Sequence, residues 1–139
     1  MIFFVDRNLG KIKFPGILEA AGVRVERHDA HFGQDATDEE WLSEIAARGW
    51  IAITRDRRIR YKPNELQAVI DHDVAMLVLI GEAAIPELAH SFVATLGAIE
   101  RFVKDRPAPY IGKVYRATET ERARRSDAPG RVELWFPAS

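Results

Sequence analysis

Three acids stand where short apolar runs or helix starts would leave them at the edge of a fold. Asp6 directly follows "IFFV", Asp56 lies inside "ITRDRRIR", and Asp38 opens "DEEWLSEIAARG" with Glu39 and Glu40 beside it. Carboxylates brought together repel one another, and a hard divalent cation relieves that repulsion. A donor set made only of oxygen favours Mg²⁺ or Mn²⁺ over zinc. The arginines flanking Asp56 (Arg55, Arg57, Arg58 and Arg60) are suited to holding phosphate beside such a cation. Simpler roles stay open for two of the acids. Asp38 and Glu39 in a first helical turn favourably meet the helix dipole, and Asp56 can pair with Arg55, Arg57 or Arg58. Asp6, after an apolar run, is expected to be partly desolvated and to need a partner.

The elements that must position these acids follow from periodicity. Residues 2–5, 50–54 and 75–80 are continuous apolar runs, read as strands buried on both faces, and residues 23–28 alternate like a further strand. Helices are expected over 14–22, closed by Gly22, over 64–71 after Pro63, and over 85–103 with Pro86 in the first turn. Thr37 with Glu40 forms a capping box, Trp41, Leu42, Ile45 and Ala46 make one apolar stripe, and Gly49 ends the helix. Strands alternating with helices predict an α/β fold, a mainly parallel sheet with helices on both faces. Ligands of such sheets bind beyond the carboxyl ends of the strands, where Asp6 and Asp56 fall. The helix opened by Asp38 runs down into the strand at residue 50, so its start belongs at the same edge. Residues 1–106 are read as this domain. Residues 107–139 are read as an extension of two short strands around the polar "TETERARRSDAPG".

The chain has 139 residues, 47% hydrophobic and 29% charged, enough to bury one core, and a formal net charge of −1. Any polyanion site must therefore be a local patch. No cysteine is present, which excludes disulfides, thiolate zinc sites and thiol nucleophiles. The apolar start is too short for a signal core and no stretch is long enough to span a bilayer, so a cytoplasmic protein without membrane association is expected.

"FFVDRNLGK", "DEEWLSEIAARGW" and "IAITRDRRIR", in that order, resemble the PIN-like nuclease superfamily, and within it the short bacterial proteins of the VapC toxin type. The resemblance covers about residues 1–105 and implies a three-layer α/β/α domain. It matches Asp6 to the acid after the first strand, Asp38 to the acid of the D-x-x-W helix and Asp56 to the acid of T-x-D. Glu65 in "KPNELQAV" matches a further acidic position, and Glu39 is the alternate to Asp38, because larger PIN domains carry the second acid on a longer middle segment. The implied activity is Mg²⁺- or Mn²⁺-dependent hydrolysis of RNA phosphodiesters, with Asp6, Asp38 and Asp56 holding the cation. Arg55, Arg57, Arg58, Arg60 and Lys62 would line the RNA approach, with Tyr61 and Trp41 as candidates for base stacking. Trp41, on the apolar stripe, is read first as core. The implied partners are RNA, a small antitoxin that blocks the acidic cleft, and a second copy in a homodimer. The extension has no counterpart in the family pattern.

Other readings of the same elements remain. A PIN-like module that binds RNA or protein without catalysis would keep the fold and leave the acids vestigial. A phospho-receiver domain would require a second acid after the first strand, a Ser or Thr after the fourth and a Lys after the fifth. Here Arg7 and Asn8 follow Asp6, Gly81 follows Ile80, and no fifth buried strand is expected. His28 and His31 in "HDAHF" are read as solvent-facing loop residues, and "RARR" as a solvated loop.

Overall fold

A computed structural model describes residues 1–137, the side chain of Arg60 excepted. Six strands form one sheet in the order β2-β1-β3-β4-β5-β6. The strands are β1 (Phe3–Val5), β2 (Val25–Arg27), β3 (Ile51–Thr54), β4 (Ala75–Ile80), β5 (Tyr110–Tyr115) and β6 (Arg131–Phe136). Neighbours from β2 through β5 pair in parallel, and β6 closes the edge antiparallel to β5. The strands expected beyond residue 107 thus belong to the same sheet as the rest.

Alternation along the central strands sends side chains to two separate cores. Phe3, Val5, Ile51, Ile53, Leu77 and Leu79 meet α1 (Lys13–Ala20), α5 (Ile85–Ala94) and α6 (Leu96–Lys104) on one face through Phe14, Leu18, Phe92 and Ile99. Phe4, Ala52, Met76 and Val78 meet α3 (Asp38–Ala47) and α4 (Pro63–Asp71) on the other through Trp41, Leu42, Ile45 and Val69. The result is the expected three-layer α/β/α arrangement, with both sheet faces covered as a parallel sheet requires.

Several expectations need correction. A fifth buried parallel strand does exist, β5, so that ground for rejecting a receiver domain fails. The others hold, since Asn8 and Gly81 stand where the acid and hydroxyl would be needed and Arg116 follows β5. The helix expected over 85–103 is divided at Thr95, whose hydroxyl donates to the Ser91 carbonyl at 2.7 Å and accepts from the Gly130 amide at 2.9 Å. Such back-bonding bends helices, and here it ties the bend to the approach of β6. The polar stretch after Tyr115 contains a short helix, α7 (Glu119–Arg124), with a capping box between Thr118 and Glu121. The second strand is shorter than expected, and His28 begins a single turn, α2 (His28–His31), as a buried residue.

The capping box on α3 is formed as expected. Thr37 Oγ1 accepts from the Glu40 amide and Glu40 Oε2 accepts from the Thr37 amide, both at 3.2 Å. This box holds the helix start that carries Asp38. Thr37→Ala is expected to cost about 1 kcal/mol in urea unfolding, with Thr37→Ser close to wild type.

Candidate active site

In the strand order, the chain leaves β1 toward β2 on one side and β3 leads to β4 on the other. The crevice beyond the carboxyl ends of β1 and β3 is therefore the switch point where ligands of open parallel sheets bind. Asp6 is the first residue past β1, and its amide donates to the Ile53 carbonyl of β3 at 2.9 Å. Only 8% of Asp6 is exposed. Val5 pairs with Ile53, so Asp6 falls beside Thr54, whose hydroxyl donates to Asp6 Oδ2 at 2.9 Å. Thr54 Oγ1 in turn accepts from Asn8 Nδ2 at 2.9 Å and from the Asp56 amide at 3.1 Å. One buried hydroxyl thus links both strand-end acids. Neither Thr54 nor Asn8 was singled out from the sequence as part of the site.

Asp38 is half-buried in the first turn of α3, and Trp41 Nε1 donates to Asp38 Oδ1 at 3.0 Å. The D-x-x-W spacing is accounted for by this bond, since residues three apart share a helix face. Trp41 is buried in the core, stacked on Phe4 with ring centroids 5.4 Å apart, and cannot serve as an external stacking platform for RNA. Burial raises the Asp6 carboxyl above its ordinary range. The Thr54 hydrogen bond works against this and the charge of Asp38 adds to it. Burial likewise raises Glu65, helped by its hydrogen bond with Asp38, while the charge of Lys62 pulls the other way. Two carboxyls in hydrogen-bond contact must share either a proton or a cation. Asp38 therefore raises the cost of charge on acids from two other elements, Asp6 and Glu65.

Asp56 is held differently. Lys62 Nζ lies 2.8 Å from Asp56 Oδ2, the Arg58 amide donates to Asp56 Oδ1 at 3.0 Å, and Arg58 Nε lies 3.5 Å from that oxygen. Partial burial pushes Asp56 upward, but Lys62 and the Arg58 amide outweigh it and leave the acid below its ordinary range. The pairing first expected of an arginine is made chiefly by Lys62, which also lies 3.6 Å from Glu65 Oε1.

Of the other basic residues, Arg57 reaches Glu82 at 3.3 Å and Arg58 is largely exposed. Arg55 is half-buried, with its amide 3.4 Å from Asn8 Oδ1. The Arg60 side chain lies outside the described residues. Tyr61 is exposed, its ring 5.8 Å from that of Trp135. Glu39 is exposed on the first turn of α3, turned to solvent beside Asp38.

Among the described residues, no three His, Asp or Glu side chains close into a ready cage for a metal ion. The donor chemistry nevertheless fits a hard cation. All the groups are oxygen acids, Asp6 is buried without a full counter-charge, and Asp38 contacts Glu65. Lys62 supplies a positive charge at one end of the group. Losing it is expected to cost about 0.5–1 kcal/mol at neutral pH, given how exposed the pair is. Asp56 is depressed and Lys62 is raised. Their pairing therefore contributes above the ordinary Asp range, about pH 4, and below the ordinary Lys range, about pH 10. The deficit of Lys62→Met should accordingly shrink in urea titrations as the pH falls below the ordinary Asp range and through the depressed value of Asp56.

The chain matches the family described as "PIN like domain" over residues 1–81, the stretch that carries β1 through β4 and all of these acids. It belongs to the PIN-like domain family. A relative from Mycobacterium tuberculosis, named "Putative ribonuclease VapC45", is 34% identical over 118 residues, covering 81% of this chain and 84% of the relative. No solved structure matches. The PIN-like match ends just past β4, so β5 and β6, which complete the same sheet, lie outside it. Among the described residues, no helix is long and apolar enough to cross a membrane.

Proposed function

We propose that this PIN-like protein is a divalent-cation-dependent endoribonuclease and the toxin of a toxin–antitoxin pair. The observation that carries the reading is Asp38 bearing on both Asp6 and Glu65, with Asp6 at the switch point between β1 and β3. The ribonuclease name of the Mycobacterium tuberculosis relative supports it. Asp6, Asp38 and Glu65 would hold Mg²⁺ or Mn²⁺, with Asp56 joining them when Lys62 yields. When bound, such an ion lowers the pKa of a water and stabilises charge on phosphoryl oxygens.

The chain's own residues do the rest. Thr54 fixes the Asp6 carboxylate toward the crevice, Trp41 fixes Asp38, and the guanidinium groups of Arg57 and Arg58 hold the phosphates on either side of the cut. An antitoxin would then cover the acidic crevice, and a homodimer is the expected assembly.

A second reading has one observation in its favour. Lys62 already neutralises Asp56 and approaches Glu65, as a resident cation would, which suits a binding module without catalysis. The two readings separate on single-stranded RNA incubated with the purified protein. Cleavage with Mn²⁺ that stops with EDTA is expected. RNA retention without cleavage at any Mn²⁺ concentration would establish the second reading instead.

A further inference from the structure

At the β5–β6 end, the two faces of the sheet are finished differently. On one face Val114 of β5 is buried, and Val132 and Leu134 of β6 pack against the core that holds Ile99 and Phe102 of α6. On the other face Lys113 and Tyr115 of β5 stand opposite Glu133 and Arg131 of β6, and all four are half-buried or exposed. An antiparallel pair can leave one face to water in this way. The side chains of the open face form a row of rings and cations. Tyr61, 70% exposed, has its ring 5.8 Å from that of Trp135. Lys113 Nζ lies 4.8 Å from the Trp135 ring centroid and 6.0 Å from that of Tyr115, and the Arg131 guanidinium carbon lies 4.1 Å from the Tyr115 centroid.

Such contacts brace the two strands. Bracing alone leaves the charges of the row unmatched. Among the described residues Lys113 has no ion-pair partner, and Arg131 commits only its Nε to Glu133, at 2.9 Å. Lys113 and Arg131 against Glu133 leave the open face positive.

The row is also continuous with the acids. Tyr61 precedes Lys62, whose ammonium holds Asp56 at 2.8 Å. Thr54 pairs with Val78 and Val78 with Lys113, so Lys113 stands two strands across from Thr54 on the same sheet face. At the usual strand spacing that is roughly 10 Å. Rings interspersed with cations suit single-stranded RNA, whose bases stack on aromatic side chains while its phosphates meet the cations. An acidic peptide would use the cations and leave the Tyr61 ring idle.

We propose that the open face of β5 and β6 is the track along which single-stranded RNA reaches the acids, with a base stacked on Tyr61 and backbone phosphates on Lys113 and Arg131. The inference rests on the ribonuclease reading. It gives the two strands beyond the PIN-like match a part in holding the substrate.

The test is a titration of a fluorescent oligouridylate of about 12 nucleotides, within the usual range of single-strand site sizes. Anisotropy is read in EDTA, where the proposed cleavage is stopped, at several KCl concentrations. Tyr61→Leu should weaken binding about tenfold and leave the salt dependence unchanged, because stacking carries no charge. Lys113→Gln should weaken binding at low salt and lower the slope of log affinity against log salt by about 0.7, the share of one phosphate on a single strand. Arg131→Gln should do the same and serves as the second variant should Lys113→Gln fold poorly. A decaglutamate peptide is the control, and its weaker binding should be indifferent to Tyr61→Leu.

A wild type that does not bind the oligouridylate, or variants that bind it as the wild type does, overturn the track. Decaglutamate bound as tightly as RNA, and weakened by Lys113→Gln, overturns it in favour of an acidic protein partner. The ribonuclease reading is scored separately, by cleavage with Mn²⁺. Cleavage by a wild type whose RNA binding ignores all three substitutions sinks the track alone. Binding that responds as expected in a protein that cuts nothing sinks the ribonuclease reading and leaves the face as an RNA-binding surface.

Discussion

Asp6→Asn is expected to lower Mn²⁺-dependent RNA cleavage by at least about 100-fold while making the protein more stable. The catalytic half follows from position. Replacing groups that merely support a metal ligand costs about 10- to 100-fold, and loss of a ligand should exceed that. The stability half follows from electrostatics. Asp6 is raised by burial and by Asp38, so the folded protein carries a penalty for ionising it at neutral pH. Protonation relieves that penalty as pH falls through the raised value. Below the ordinary Asp range, about pH 4, it is gone. Asparagine is neutral throughout and keeps an oxygen to accept the Thr54 hydroxyl. The variant should therefore unfold later than wild type at pH 7, by about 0.5–2 kcal/mol, with the gap closing toward pH 4. Saturating Mn²⁺ should narrow the difference as well, because a cation bound only by the folded wild type stabilises it by mass action. Thermal melts at pH 7 and pH 4, with and without Mn²⁺, read all of this. A less stable Asp6→Asn at pH 7 would show that Asp6 is a compensated structural acid and would remove the main support for the cation site.

How much of this was legible in advance depended on the range of the interaction. The βα alternation, the Thr37–Glu40 box and the acids past "IFFV" and "WIAIT" are local patterns, and they placed Asp6, Asp38 and Asp56 on one rim of the expected sheet. The same Thr-x-x-Glu signature at Thr118 is masked by its very polar surroundings, yet it caps α7. The bend at Thr95 depends on Gly130, and the burial of His28 depends on rings from β1, α2 and α3, contacts that no window of sequence displays. Lys62 sat among basic residues and invited a phosphate role. Only the fold shows that its ammonium is engaged by Asp56. The link between Asp6 and Thr54 is likewise a matter of register between β1 and β3. A slip of one residue would turn either side chain to the opposite face.

That register makes Thr54→Val the sharpest test of how the site is built. Valine matches the shape of threonine and removes one hydroxyl, so any effect belongs to the lost hydrogen bonds. Thr54 is 1% exposed, and its Oγ1 serves Asp6, Asn8 and the Asp56 amide at once. Removing it leaves a buried carboxylate oxygen without a donor and two N–H groups without an acceptor, each costing about 1–3 kcal/mol where water cannot replace the partner. Asn8 lies nearer solvent and can recover part of its share. A net loss of about 3 kcal/mol is expected, visible as a fall of roughly 10 °C in Tm. Thr54→Ser keeps the hydroxyl, loses one methyl group and should cost only about 1 kcal/mol. The pair of variants also separates structure from chemistry. The Thr54 hydrogen bond is the main influence holding the Asp6 carboxyl down against burial and Asp38, so in Thr54→Val that acid should titrate higher still. If Asp6 holds Mn²⁺ as proposed, binding would require its ionised form, so the pH at which half the affinity is lost should move upward in Thr54→Val and stay put in Thr54→Ser. Equal pH profiles for the two variants would mean that the hydroxyl braces the strands alone and leaves the carboxylate at the crevice unaffected.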